Sequence, residues 1–121
     1  RYYAENPVFS LKNTIANINI DMIGRVDPEH KENPNYIYVI GADRLSTGLD
    51  EAVTKANKSI KDFTLDYKYN DRNDPQRIYY RSDHYNFAKK NIPVIFYFNG
   101  THEDYHKPPD TADKINCTLL S

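Results

Sequence analysis

Residues 100 to 115, GTHEDYHKPPDTADKI, concentrate the groups of this chain that could do chemistry. His102 and His106 stand four residues apart, with Glu103, Asp104 and Tyr105 between them and Pro108 and Pro109 behind. Imidazole and carboxylate are zinc donors. His-Glu-x-x-His also spells a helical zinc motif, in which both imidazoles share one helix face. Here an apolar run, Ile92 to Phe98, ends at Asn99-Gly100, two residues before His102, and the two prolines close the segment. These flanks predict a loop, so the helical motif is rejected despite the match. A hydrophobic strand that opens into such a loop is where α/β proteins tend to place function.

A second candidate stands far upstream. Asp21 stands near the end of the run Thr14 to Ile23, TIANINIDMI, just before Met22-Ile23-Gly24. A carboxylate on a core strand is costly unless it is paired or binds a cation. Two readings are open: an aspartate bonded to backbone N–H groups or to Arg25, or a metal ligand at the carboxyl end of a strand.

The elements that must position these groups follow from periodicity. Pro7 stops any helix in residues 1–8. Residues 14–23 alternate Ile with Asn and Asp, a strand with one face richer in polar groups. Residues 25–35 hold Pro28 and Pro34 and read as a loop. Tyr36 to Gly41 is a short buried strand. Ser46 or Thr47 caps a helix whose Leu49, Ala52, Val53 and Ala56 share a face to about Ser59. Phe63 to Tyr69 alternates again as a strand, and 70–77 is a loop. Ser82-Asp83 caps a helix through Phe87 and Ala88 to Lys90, stopped by Asn91. Ile92 to Phe98 is the strongest strand, and Asp110-Thr111 opens a last helix toward Leu120. This alternation predicts an α/β fold with helices on a mostly parallel or mixed sheet.

Composition excludes several classes. The chain has 121 residues, 27% of them charged, and a formal net charge of −1. Neither sign dominates, so no nucleic-acid or membrane-surface partner is expected. No apolar run approaches the ~20 residues of a membrane-spanning helix. The single cysteine, Cys117, has no internal disulfide partner and is expected to be a small side chain packed near the C-terminus. Eleven tyrosines and no tryptophan are unusual; most are expected at strand positions along the edge of a core.

Four segments carry a family resemblance: NINIDMIGR at 17–25, RSDHYNF at 81–87, IPVIFYFNG at 92–100 and HEDYHKPPDTADKI at 102–115. In order, and over nearly the whole chain, they resemble the C-terminal half of the M28 zinc metallopeptidases, mostly aminopeptidases with two zinc ions in a cocatalytic site. The resemblance implies that residues 1–121 are the C-terminal portion of one such domain. The implied fold is a partial three-layer αβα sandwich with a mixed, mostly parallel sheet, its N-terminal part missing. It implies that Asp21 binds one zinc, that His106 binds the other, and that Tyr105 stabilises the tetrahedral intermediate. Ser82, Asp83 and His84 would begin a helix beside the site without ligating metal. Asp110 and Thr111 would fix the ligand loop, and His102 carries over as loop structure only.

The family's remaining motifs, His-x-Asp and Glu-Glu, lie upstream of the stretch matched here. Glu5 stands alone in YYAENP and does not replace them. No general base is therefore expected in this chain, and the 121 residues alone are expected to be inactive. The implied substrate is a peptide. Two other readings are a glutaminyl cyclase-like enzyme with a single zinc, and a non-catalytic peptidase-like binding module; retention of Asp21, Tyr105 and His106 argues against the second. A partial sheet is expected to expose a strand edge through which copies self-associate. The resemblance implies a periplasmic or secreted location; the residues themselves leave it open.

Overall fold

Val94–Phe98 forms the strand on which the sheet is built (β4), between the helix-breaking Pro93 and the Asn99-Gly100 stop. The computed structural model describes residues 1–120. Asn17–Ile20 (β1) runs parallel to β4 on one side, with Ile18 opposite Ile95 and Ile20 opposite Tyr97. Tyr36–Ile40 (β2) runs antiparallel on the other, with Val39 opposite Tyr97. Thr64–Asp66 (β3) pairs parallel with β2, so the order is β1-β4-β2-β3 and the sheet is mixed, as expected.

Period-two alternation divides the side chains between two faces. On one, Tyr36, Tyr38, Ile40, Val94, Phe96 and Phe98 pack with Tyr69, Ile78 and Tyr79. The helix His84–Ala88 (α4 in chain order) covers this face through Tyr85, Phe87 and Ala88. On the other, Val39 and Ile95 pack against Ala42 of a single turn, Ala42–Leu45 (α2), and Val53 of Thr47–Asn57 (α3). Helices on both faces make three layers, as the family resemblance implied. The α3 start is capped as expected: Ser46 Oγ accepts from Leu49 N at 3.2 Å.

Several local expectations change. One helical turn, Tyr2–Glu5 (α1), precedes Pro7. Residues 63–69 do not continue as a strand, because the Asp66 carboxylate accepts from Lys68 N at 2.8 Å and turns the chain. Tyr69 then enters the core from a 3₁₀ turn, Lys68–Asn70, and Tyr79 from another, Ile78–Tyr80. The C-terminal stretch is a 3₁₀ turn, Ala112–Lys114, and a separate turn, Cys117–Leu120 (α5). Asn116 divides them: its N–H donates to Gly24 O at 2.8 Å and its Oδ1 accepts from Leu119 N. Cys117 is exposed rather than packed.

Two differences concern faces. Tyr36 and Tyr38 lie at the centre of the core, not its edge, because their hydroxyls find buried partners described below. In β1 it is the isoleucine face that is open: Ile18 and Ile20 are 64% and 59% exposed. Asn17 and Asn19 turn instead toward the α4 layer. Strand β1 is an edge, and α3 covers the isoleucine face only over β2 and β4.

Candidate metal and catalytic site

Parallel pairing brings the carboxyl ends of β1 and β4 side by side, and both candidate segments begin there. Asp21 follows β1, its N–H donating to Tyr97 O at 3.2 Å. The chain then turns through Met22 at φ +53° and Gly24 at φ +89°. Asn99 pins the turn: its N–H donates to Met22 O, and its Oδ1 accepts from Gly24 N at 3.0 Å.

The Asp21 carboxylate is held from one side. Ser82 Oγ donates to Asp21 Oδ2 at 2.8 Å and itself accepts from Asn19 Nδ2 at 3.0 Å. Ser82 therefore braces the aspartate instead of capping α4, whose start has no side-chain cap. Asp21 is exposed, and its second carboxylate oxygen has no hydrogen-bond partner among the described residues. Arg25 is not its partner, so that reading of Asp21 falls away.

Beyond Gly100 the chain forms successive turns, not a helix. Tyr105 N donates to His102 O, Lys107 N to Asp104 O at 2.8 Å, and Asp110 N to Lys107 O. The two histidines consequently diverge. The His102 side chain is 7% exposed and lies 3.8 Å from Asp110. His106 is exposed at φ +56°, with neither ring nitrogen hydrogen-bonded among the described residues. A left-handed non-glycine residue is uncommon, and here two of them, Met22 and His106, fall beside or on a candidate ligand.

Tyr105 stacks on His106, ring centroids 4.0 Å apart. It lines a cleft shared with Asp21, Arg81, Ser82 and Thr101. It also lines a cavity of about 270 Å³ shared with Met22, Arg25, His102, His106 and Asp110. Tyr105 thus stands between the surroundings of Asp21 and those of His106.

Two polar clusters support the site, and sequence reasoning named neither. In the first, buried Asp104 pairs with Lys114 at 2.7 Å and Arg25 at 3.0 Å, and Arg25 also pairs with Asp110 at 3.0 Å. The cations of Lys114 and Arg25 hold the Asp104 carboxyl below the ordinary carboxylate value. The second lies under Gly100. Burial pushes the Asp27 carboxyl up, but hydrogen bonds from Tyr38 and His30 and the charge of His30 outweigh it and leave it lowered. Tyr38 OH donates to Asp27 Oδ2 at 2.6 Å, and the His30 ring nitrogens lie 3.0 Å from Asp27 and 3.0 Å from Asp66. Tyr36 OH accepts from Asp27 N at 2.9 Å and donates to Asn99 O; Asn99 Nδ2 returns a bond to Tyr36 O at 2.8 Å. Burial raises both phenols above their ordinary value. The available signals were Asn99 at the end of β4 and Asp27 just before Pro28, where it caps the 3₁₀ turn Pro28–His30.

The remaining candidates sit as follows. His84 is fully buried, stacked on Phe96 at 4.7 Å, with Nε2 2.7 Å from Tyr79 O. Burial lowers its pKa. It belongs to the core beneath the site. Asp83 is exposed at the start of α4. Thr111 precedes the 3₁₀ turn 112–114, and its hydroxyl contacts Pro109 O at 3.4 Å.

As donors, Asp21 and His106 have the chemistry zinc requires: Asp21 keeps one carboxylate oxygen, and His106 both ring nitrogens, without a hydrogen-bond partner among the described residues. They do not make a closed site between them. Among the described residues, no three His, Cys, Asp or Glu side chains converge as metal ligands. No helix among the described residues is long and apolar enough to cross a membrane.

The model of peptidase family M28 matches residues 1–121, the whole chain. No curated protein and no solved structure matches it significantly.

Proposed function

Because the chain belongs to peptidase family M28, we propose that it carries part of the zinc centre of an aminopeptidase that cleaves N-terminal peptide bonds at a two-zinc site. The observation that carries this reading is one juxtaposition. Asp21, braced by Ser82, follows β1, and His106, at a left-handed backbone position, lies on the loop that follows β4; the two strands pair in parallel, and Tyr105 lines both the cleft of Asp21 and the cavity of His106. In this reading Asp21 holds one zinc and His106 the other. Bound zinc polarises the scissile carbonyl and lowers the pKa of water, so that a nucleophile exists near neutral pH. The chain's own residues orient and stabilise. Ser82 occupies one oxygen of Asp21 and so selects the other for the metal, as outer hydrogen bonds do around metal sites. The Tyr105 hydroxyl, with no hydrogen-bond partner among the described residues, is free to donate to the oxyanion that develops on the substrate carbonyl.

Affinity for a metal needs several preorganised ligands together. Two donors assigned to separate ions do not suffice, so in this reading the remaining ligands and the general base are not among these 121 residues, and the chain alone is inactive. The experiment is a zinc titration of the chain followed by the NMR signals of the His106 ring and by aminoacyl-anilide hydrolysis. Weak binding at His106 that is lost in His106→Gln, with no hydrolysis, is expected. Zinc-dependent turnover by the chain alone overturns the assignment of the missing groups. Absence of any response at His106 overturns the ligand reading.

The partner expected of the open β1 edge is a second copy of the chain. Its Ile15, Ile18 and Ile20 side chains are exposed, and unpaired strand edges recruit other strands.

A further inference from the structure

The two halves of the candidate site lie on separate segments, 21–25 after β1 and 100–111 after β4. Among the described residues, the bonds that Asn99 makes to the first segment, its N–H donating to Met22 O and its side-chain Oδ1 accepting from Gly24 N, lie at the base of the second segment. The side-chain bonds that reach into the loop itself from the segment after β1 both come from one residue. Arg25 sends its two terminal nitrogens to two different carboxylates, Nη2 to Asp104 and Nη1 to Asp110, each at 3.0 Å. Those aspartates flank His106 by two residues on one side and four on the other.

We infer that Arg25 is a positioning residue: it clamps the turn that presents His106 and thereby sets where that imidazole stands relative to Asp21, four residues before Arg25 itself. The inference rests on the reading of Asp21 and His106 as ligands. Three observations support it. The Arg25 side chain is 15% exposed and that of Asp104 10%, so this pair is shielded from water and salt. Lys114 adds a second cation to Asp104 at 2.7 Å, anchoring the same carboxylate to the following 3₁₀ turn. The left-handed backbone of His106 is a conformation that persists when the surroundings over-determine it, and a fork gripping both flanks does so. Only guanidinium suits this task. An ammonium is a point charge on a flexible stem and does not present the planar fork that holds two carboxylates at once.

The full chain with Arg25→Lys and Arg25→Met substitutions tests the clamp. Metal-free amide exchange is measured for residues 102–111 and for β4. The Lys variant keeps the charge and loses the fork, so it remains informative if the Met variant fails to fold. Expected is faster exchange across 102–111 in both variants, with β4 unchanged. Zinc is then titrated against the His106 ring signals, with urea unfolding confirming that each variant is folded under the titration conditions; about a tenfold loss of zinc affinity is expected, the low end of what residues that support a ligand contribute. Unchanged exchange in 102–111 overturns the clamp. Faster exchange with zinc affinity intact at His106 overturns the positioning role and leaves Arg25 purely structural. A wild-type His106 that ignores zinc overturns the ligand reading, and exchange alone then decides whether the clamp exists.

Discussion

Gly100, where β4 gives way to the His106 loop, is the position whose substitution tests the architecture most sharply. It adopts φ +92°, and a Cβ placed there would lie 2.5 Å from Asp27 Oδ2, 2.7 Å from its Cβ and 2.9 Å from its Cγ. Asp27 has little room to yield, since Tyr38, His30 and the N–H groups of Glu29 and His30 all bond its carboxylate. Gly100→Ala therefore incurs about 1–2 kcal/mol for the left-handed backbone and about 1–3 kcal/mol for overpacking, about 2–5 kcal/mol together. At about 4 °C per kcal/mol for a chain of this size, Tm falls by about 8–20 °C. The matched control is Gly48, in the first turn of α3, where a Cβ meets nothing nearer than Ser46 Oγ at 3.8 Å. Gly48→Ala should stabilise by about 0.5–1 kcal/mol by restricting the unfolded chain and favouring the helix. Urea and thermal unfolding of the two variants beside wild type measure both signs. A Gly100→Ala chain within about 0.5 kcal/mol of wild type, well inside the expected cost, would refute the packing of Asp27 under the loop.

Acid should unfold the chain in two stages. Burial holds His84 below its ordinary 6.5, and Asp27 and Asp104 are held below 3.8. In all three the unfolded chain takes up the proton first, so stability is complete above 6.5, declines as His84 protonates, and declines again below 3.8. Urea midpoints against pH measure this; His84→Gln should flatten the upper stage alone, and an unchanged upper stage counts against its assignment to His84. Ser82→Ala removes one hydrogen bond from Asp21 and should cost about 0.5–1.5 kcal/mol of stability. The same variant should lose about tenfold in zinc affinity by calorimetry; equal affinity would show that Asp21 needs no brace. Ile18→Lys places a charge on the open β1 face and should convert self-associating chain to monomer in sedimentation. A wild type that already sediments as a monomer ends that reading.

Much of the framework was legible from pattern alone. Val94 to Phe98 and Tyr36 to Ile40 read as strands because β-branched and aromatic runs bounded by Pro or Gly have few other uses. Ser46 announced the start of α3 because a hydroxyl three residues before a free N–H is a local relation. The strand near 63–69 was read too long, since Phe63, Leu65, Tyr67 and Tyr69 alternate as a strand does. The Asp66 turn that interrupts them is a competing local bond. Asp21 and His106 could be singled out by residue type as well as by family resemblance, Tyr105 and Ser82 by the resemblance alone.

What the sequence by itself determined is the set of elements, their alternation and the residue types at the strand ends, because these depend on neighbours a few positions apart. Only the tertiary structure decided which face of β1 is open, that Ser82 braces Asp21 rather than capping α4, that His102 is turned inward while His106 is presented, and that Arg25 serves Asp104 and Asp110 instead of Asp21. Each of these is a choice among partners far apart in the chain. Which partner a carboxylate or guanidinium takes depends on which strand ends the sheet brings together, and no local pattern encodes that.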